Sequence, residues 1–366
     1  MALPGEAPVR GAAEPVDWRL AERIACRVAG REPLSLSYLG GSLDRDFREV
    51  TVEAEEAVAA LTGLHGPTPG RAMVVDRAAW VENNVSSMRR MLAPYTERVR
   101  ERLARSPIAP IGRTVAGGEL GVLLGYVAQR VLGQYDLLMP DENDGGHAGD
   151  TVYYVGPNIL VLEKRYAFRP RDFRLWIALH ELTHRAQFTG VPWLHGYFVE
   201  QVGTLLGSVE PDARRLLGAA GRAVDDLRKG RNPLDDGVVA LFANEDQRLV
   251  LDRMQALMSL LEGHGNAVMN KLGAQMVEGQ DRMASALHAR RNARGTSALF
   301  QRVLGLEMKM RQYEVGEAFV ASVEREAGVR AIDAAWRGPE FLPTLAELTT
   351  PTAWLERVGA GASAAR

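Results

Sequence analysis

From Asp17 to Arg105, apolar residues recur mostly every three or four positions, the interval that gathers them on one face of a helix. The clearest run is FREVTVEAEEAVAALTGL, Phe47 to Leu64, stopped by Gly63 and the turn residues Pro67 and Pro69. A second run, Trp80 to Arg105, is expected to bend at Pro94, which lacks an amide donor and crowds the preceding turn. Ala72 to Asp76, AMVVD, reads as a short strand. Further on, TVYYVGPNILVLEKRYAF (Thr151 to Phe168) is rich in β-branched and aromatic residues and is split by Gly156-Pro157-Asn158, which predicts a strand pair. Pro170 and Asp172 then open a helix that Gly190 and Pro192 close, with Phe173, Trp176, Ile177 and Phe188 at helical spacing. From Leu194 onward nearly everything is helical, interrupted at SVEPD, KGRNPLDDG, Gly295 and RGPEFLP.

The pattern therefore predicts a mainly α (α+β) protein with a small β element just before one central helix. No internal repeat and no linker divides it, so residues 15–358 are expected to form a single domain between disordered tails at 1–14 and 359–366.

Bulk composition removes several function classes. Lys+Arg total 44 against Asp+Glu 46, a net charge of -2, which gives no overall attraction to nucleic acid or anionic membrane. The most apolar stretch, Gly121 to Gly133, is too short to span a bilayer and is broken by Gln129 and Arg130. No export signal is visible at the N-terminus, so a cytoplasmic protein is expected. Cys26 is the single cysteine, which excludes an intrachain disulfide and thiolate-rich zinc sites; its apolar helical setting marks it as structural. The acidic, glycine-rich DENDGGHAGD, Asp141 to Asp150, fails the ligand spacing of a calcium-binding EF-hand and reads as a surface loop.

Chemistry concentrates in WIALHELTHRAQF, Trp176 to Phe188. His180 and His184 are one turn apart, so at about 100° per residue their side chains differ by only about 40° around the axis and can reach one cation. Glu181 sits about 100° away from His180, placed to work on water rather than to ligate. In this H-E-x-x-H arrangement Zn²⁺ lowers the pKa of a water molecule and the glutamate takes its proton. Two histidines do not complete a catalytic site, which needs a third protein ligand and an open position. The extended metzincin pattern fails, because Gln187 and Gly190 stand where Gly and a third His should be.

The third ligand is sought in MQALMSLLEGHGNAVMN, Met254 to Asn270. Glu262 follows Met258 by one turn and Met254 by two, a carboxylate in an otherwise apolar stripe, and an inward carboxylate is costly unless paired or metal-bound. His264 lies about 200° around from Glu262, on another face, unless Gly263 and Gly265 distort the helix. Glu262 is thus preferred, with His264 and Glu200 as alternatives. Asn266, one turn beyond Glu262, is suited to hydrogen-bond a ligand histidine and fix its tautomer. His195, Tyr197, His264 and Tyr313 have the chemistry to stabilise a developing oxyanion, and the residues alone do not rank them.

HELTH resembles the metal helix of thermolysin-like gluzincins, whose third ligand is a Glu on a later helix with a carboxylate one turn after it. Glu262 matches that ligand, and Asn266 stands where that family has an acid. Over nearly its full length the chain is similar to actinobacterial zincin-like hydrolases associated by name with biosynthesis of the deazaflavin coenzyme. That similarity rests on VDW at Val16, VVDRAAWVENN at Val74, LGQYD at Leu132, HELTHRAQF with PWL, LLEGHGNAVM and KMRQYEVGEAF. It implies a zincin-like, largely helical fold and metallopeptidase activity. The interval from His184 to Glu262 is longer than in the gluzincins, room for a helical insertion over the cleft.

Together these features point to a zinc-dependent hydrolase acting on a peptide or other amide bond, with His180, His184 and Glu262 on Zn²⁺ and Glu181 as general base. The rival expectations are a non-catalytic binding or regulatory protein whose zinc site is occluded or vestigial, and an interaction protein without metal. Neither nucleic acid nor membrane is expected as a partner, and the oligomeric state is not legible.

Overall fold

The computed structural model describes residues 14–31, 34, 38–105, 109–136, 150–207, 245–292 and 306–364. The first helix, α1 (Trp18–Ala29), starts where the Asp17 carboxylate accepts the Leu20 amide at 3.0 Å. A 3₁₀ turn, Tyr38–Ser42, leads into α2 (Leu43–Thr62), which ends as expected at Gly63 in the left-handed conformation. Strand β1 (Arg71–Val75) precedes α3 (Arg77–Arg105) and α4 (Ala109–Ala128). The helix of α3 continues through Pro94 without a break.

Strands β2 (Gly133–Tyr135) and β3 (Thr151–Val155) complete a three-stranded sheet of order β1-β3-β2. β1 runs parallel to β3, with Arg71 opposite Thr151 and Val75 opposite Val155, whereas β2 is an antiparallel edge strand. The expected strand pair at 151–168 is half right: after β3 the chain turns directly into α5 (Gly156–Tyr166). Pro157 in the first turn is preorganised for a helix start, and Ile159, Leu160, Leu162 and Glu163 bury one face of a run too short for its periodicity to decide. The three residues of β2 carry no alternation a sequence reading can detect.

The helix that carries the histidines, α6 (Pro170–Gly190), has the bounds its proline and glycine signals predict. It is followed by α7 (Leu194–Gly207), α8 (Glu245–Met276), α9 (Gln280–Asn292) and α10 (Leu306–Ala327). The chain finishes in 3₁₀ turns at Val329–Arg337 and Pro339–Phe341, then α11 (Leu345–Thr349) and α12 (Pro351–Ala364). Residues 1–13, the acidic loop before Asp150, the breaks at SVEPD and KGRNPLDDG, and Gly295 lie outside the described residues.

Two apolar cores hold these elements. The larger joins α2, α6, α8, α10 and the C-terminal helices through Phe47, Phe173, Leu179, Leu257, Phe319 and Trp354. The smaller packs α1, α3 and α4 through Trp18, Trp80, Val81 and Leu124, with Cys26 half-buried at its margin. No described helix is long and apolar enough to cross a membrane.

α6 runs through the larger core, buried on nearly every side. Its charged side chains are correspondingly paired. Arg174 reaches Glu163 at 2.8 Å and Asp46 at 2.5 Å. Arg185 reaches Glu55 at 2.6 Å and also binds Asp150 and the Thr68 carbonyl. These contacts tie the helix to α2, α5 and the start of β3.

Candidate metal centre

On α6 the two histidines meet edge-on, one turn apart as their spacing requires, with ring planes at 87° and centroids 4.6 Å apart. Their Nε2 atoms are 3.1 Å apart. α8 crosses in front of them and brings one Glu262 carboxylate oxygen to 3.6 Å from His180 Nε2 and 3.5 Å from His184 Nε2. His180, His184 and Glu262 form the one group of potential metal ligands found among the described residues. Donors about 2.0–2.2 Å from a tetrahedral zinc lie about 3.3–3.6 Å from one another; the two separations to Glu262 fall in that range, and the 3.1 Å between the imidazole nitrogens is slightly shorter. The Glu262 oxygen that faces both rings is buried and has no hydrogen-bond partner among the described residues. Such an oxygen calls for a cation or a proton.

Glycines set the approach of the two helices. α8 is unbroken, so Gly263 and Gly265 do not distort it as the sequence suggested they could. They are small because of what lies against them. A side chain at Gly263 would strike the backbone of Gly316 on α10, and one at Gly265 would come within 3.2 Å of His184 and 3.4 Å of His180. A side chain at position 265 would therefore crowd both imidazoles.

Glu181, next to His180 on α6, packs its carboxylate against the edge strand β2. It is 8% exposed, and a side chain at Gly133 of β2 would lie 2.7 Å from its carboxylate oxygen. Burial raises the pKa of this carboxyl; the nearby histidines and a hydrogen bond from the Tyr135 backbone counteract only part of that effect. In the metal-free protein, burial pushes the His184 imidazole down, but the Glu262 carboxylate outweighs it and raises the pKa to about 9. Glu262 is the converse case: burial pushes it up, while His184 and His180 hold it well below the usual carboxylate range.

The alternative ligands His264 and Glu200 do not belong to this group. His264 is 4% exposed with its ring against Trp336 at 5.3 Å, and its Nδ1 faces the Gln187 amide at 2.9 Å. Burial lowers its pKa to about 3. Glu200 is exposed on α7. Tyr197, also on α7, packs edge-on to Trp193 and lines a cavity of about 620 Å³ with Arg253, Glu340 and Arg357. His195 begins the same helix, and Tyr313 belongs to α10 but its side chain lies outside those described. Asn266 is buried, and its carboxamide oxygen has no partner among the described residues.

The hydrogen bond expected of Asn266 is made instead by Gln187, whose oxygen lies 3.0 Å from His184 Nδ1. The sequence reading treated Gln187 only as a departure from another motif. Its position three residues after His184, on the same helical face, is the signal that identifies it.

A helical domain with a small mixed sheet, two histidines on one helix and a glutamate from a later one define a zincin-type protein. The chain belongs to the zincin-like metallopeptidase family, whose model matches residues 16–355. Among solved structures, it is similar to a Chloroflexus aurantiacus protein described as a candidate hydrolase with a novel fold. The two share 30% identity over 94% of this chain and 99% of the other, with a TM-score of 0.66. Curated proteins provide no match.

Proposed function

We propose that this protein is a zinc-dependent hydrolase that cleaves a peptide or other amide bond. The observation that carries the proposal is the set of donor separations, 3.1, 3.5 and 3.6 Å, with a buried glutamate, Glu181, next to His180 on the same helix. His180 and His184 would supply imidazole nitrogens and Glu262 a carboxylate oxygen, leaving one vertex for solvent. Zinc held there supplies a Lewis acid that polarises a carbonyl and brings the pKa of water toward neutrality.

The chain's own residues do the rest. The Glu181 carboxylate, more basic than an exposed one, takes a proton from water and later delivers it to the departing nitrogen. The backbone of Gly133 and Tyr135 keeps that carboxylate on the β2 side of α6. Glu262 balances charge as well as binding the ion, because the two imidazoles are neutral when they ligate.

Two measurements test the proposal. A purified sample never exposed to chelator should carry close to one zinc per chain; less than about 0.2 would remove the metal from the account, since such sites bind tightly. Glu181→Gln should retain zinc and lose roughly 10²–10⁴-fold in turnover on a peptide library. Unchanged turnover would leave Glu181 without a catalytic role. A zinc-loaded wild type with no turnover would favour the non-catalytic alternative.

A further inference from the structure

The side chain of Gln187 is completely buried and uses both ends of its amide. Its nitrogen donates to the Leu261 carbonyl at 3.1 Å and faces His264 Nδ1 at 2.9 Å. Its oxygen lies 3.0 Å from His184 Nδ1. The Leu261 carbonyl can only accept, so it determines which end of the amide is which: the NH₂ group must face α8. With the nitrogen so placed, the oxygen can only accept from His184, and His184 must carry a proton on Nδ1.

From this chain of donors and acceptors we infer that Gln187 is a positioning residue for the metal site. It fixes His184 as the Nδ1–H tautomer and turns the lone pair of Nε2 toward Glu262 and His180. The same amide ties α6 to the turn of α8 that precedes Glu262, so one side chain sets both the electronic state of one ligand and the placement of another. His264 contributes as the neutral acceptor that completes the amide's hydrogen bonds. No equivalent group acts on His180, whose Nδ1 is buried without a partner among the described residues. Orientation of the pair therefore rests on the His184 side.

The inference depends on the zinc reading above and is tested by zinc affinity, measured by competition with a chromophoric chelator. Gln187→Met preserves the approximate shape and removes the acceptor; it is expected to weaken zinc binding by roughly 10–100-fold. Gln187→Glu, kept as the neutral acid by its burial, holds an oxygen on His184 Nδ1 and offers an O–H to the Leu261 carbonyl, and is expected to hold zinc within about threefold of wild type. Equal weakening in the two variants would point to lost packing and overturn the tautomer role, as would wild-type affinity in a folded Gln187→Met protein. If Gln187→Met does not fold, imidazole ¹⁵N spectra of the zinc-loaded wild type decide. A protonated His184 Nδ1 with Nε2 on the metal supports the inference, and coordination through Nδ1 ends it. A wild type that binds no zinc would overturn both proposals, whereas equal affinities overturn this one alone.

Discussion

A glycine at position 133 allows an edge strand to lie directly on a carboxylate. Gly133→Ala places a methyl group 2.5 Å from Glu181 Cγ, so either β2 or the glutamate must move. Because His180, His184 and Glu262 do not touch this position, zinc content is expected to remain at wild-type level while turnover falls at least tenfold, read by metal analysis and peptide hydrolysis on the same sample; a displacement near 1 Å commonly reduces rate about 10²-fold. At this scale much of the candidate site was legible. The i, i+4 histidines need only helical geometry to meet, and Glu262 stood out as a charge in an apolar stripe. Gln187 was not legible, because its role depends on which way a carbonyl of another helix points. His264 shows the opposite: the two-residue offset from Glu262 correctly placed it on a different face, and the structure then shows what occupies that face.

Among the elements, α6 is held by polar anchors as well as by apolar packing. Arg185, one residue beyond His184, is 1% exposed and neutralises both Glu55 of α2 and Asp150 at the start of β3. Arg185→Met would leave these carboxylates without their cation. Both retain some exposure, so the destabilisation is expected to be about 2–3 kcal/mol, somewhat below that of a fully buried pair, as measured by urea unfolding. The bounds of α6 and the end of α2 could be read from prolines and glycines, whose local effects survive tertiary packing. The helix after β3 could not, since β-branched composition and Pro157 argue for different elements and burial decides between them. α8 misled in another way: its glycines, weak helix formers in isolation, are required where helices approach most closely.

For the whole molecule, the C-terminal region closes over the larger core through Trp354, fully buried against Phe319 at 5.3 Å. Trp354→Ala should lower stability by about 3–5 kcal/mol, seen as an earlier unfolding midpoint. The same region depends on pH through Glu347, whose carboxyl is lowered by hydrogen bonding to Arg357 and by the Thr344 backbone. A lowered folded value gives stability that is present above the unfolded pKa near 4.5 and lost as pH falls through the folded one. Glu347→Gln is therefore expected to be less stable than wild type by about 1 kcal/mol at neutral pH and to match it in strong acid, checked by thermal melts across pH. Chelation should also lower the melting temperature of the zinc-loaded protein, by the free energy of the ion's preference for the folded state, about 2.7 kcal/mol when free zinc is a hundredfold above its dissociation constant. The donor set is split between position 184 and position 262, so a growing or half-collapsed chain can offer the imidazole pair long before the carboxylate arrives. Tight capture of the ion must then wait for the docking of α8 onto α6. In a refolding experiment, zinc uptake would act as a clock for that late, long-range event rather than for the earlier coiling of either helix.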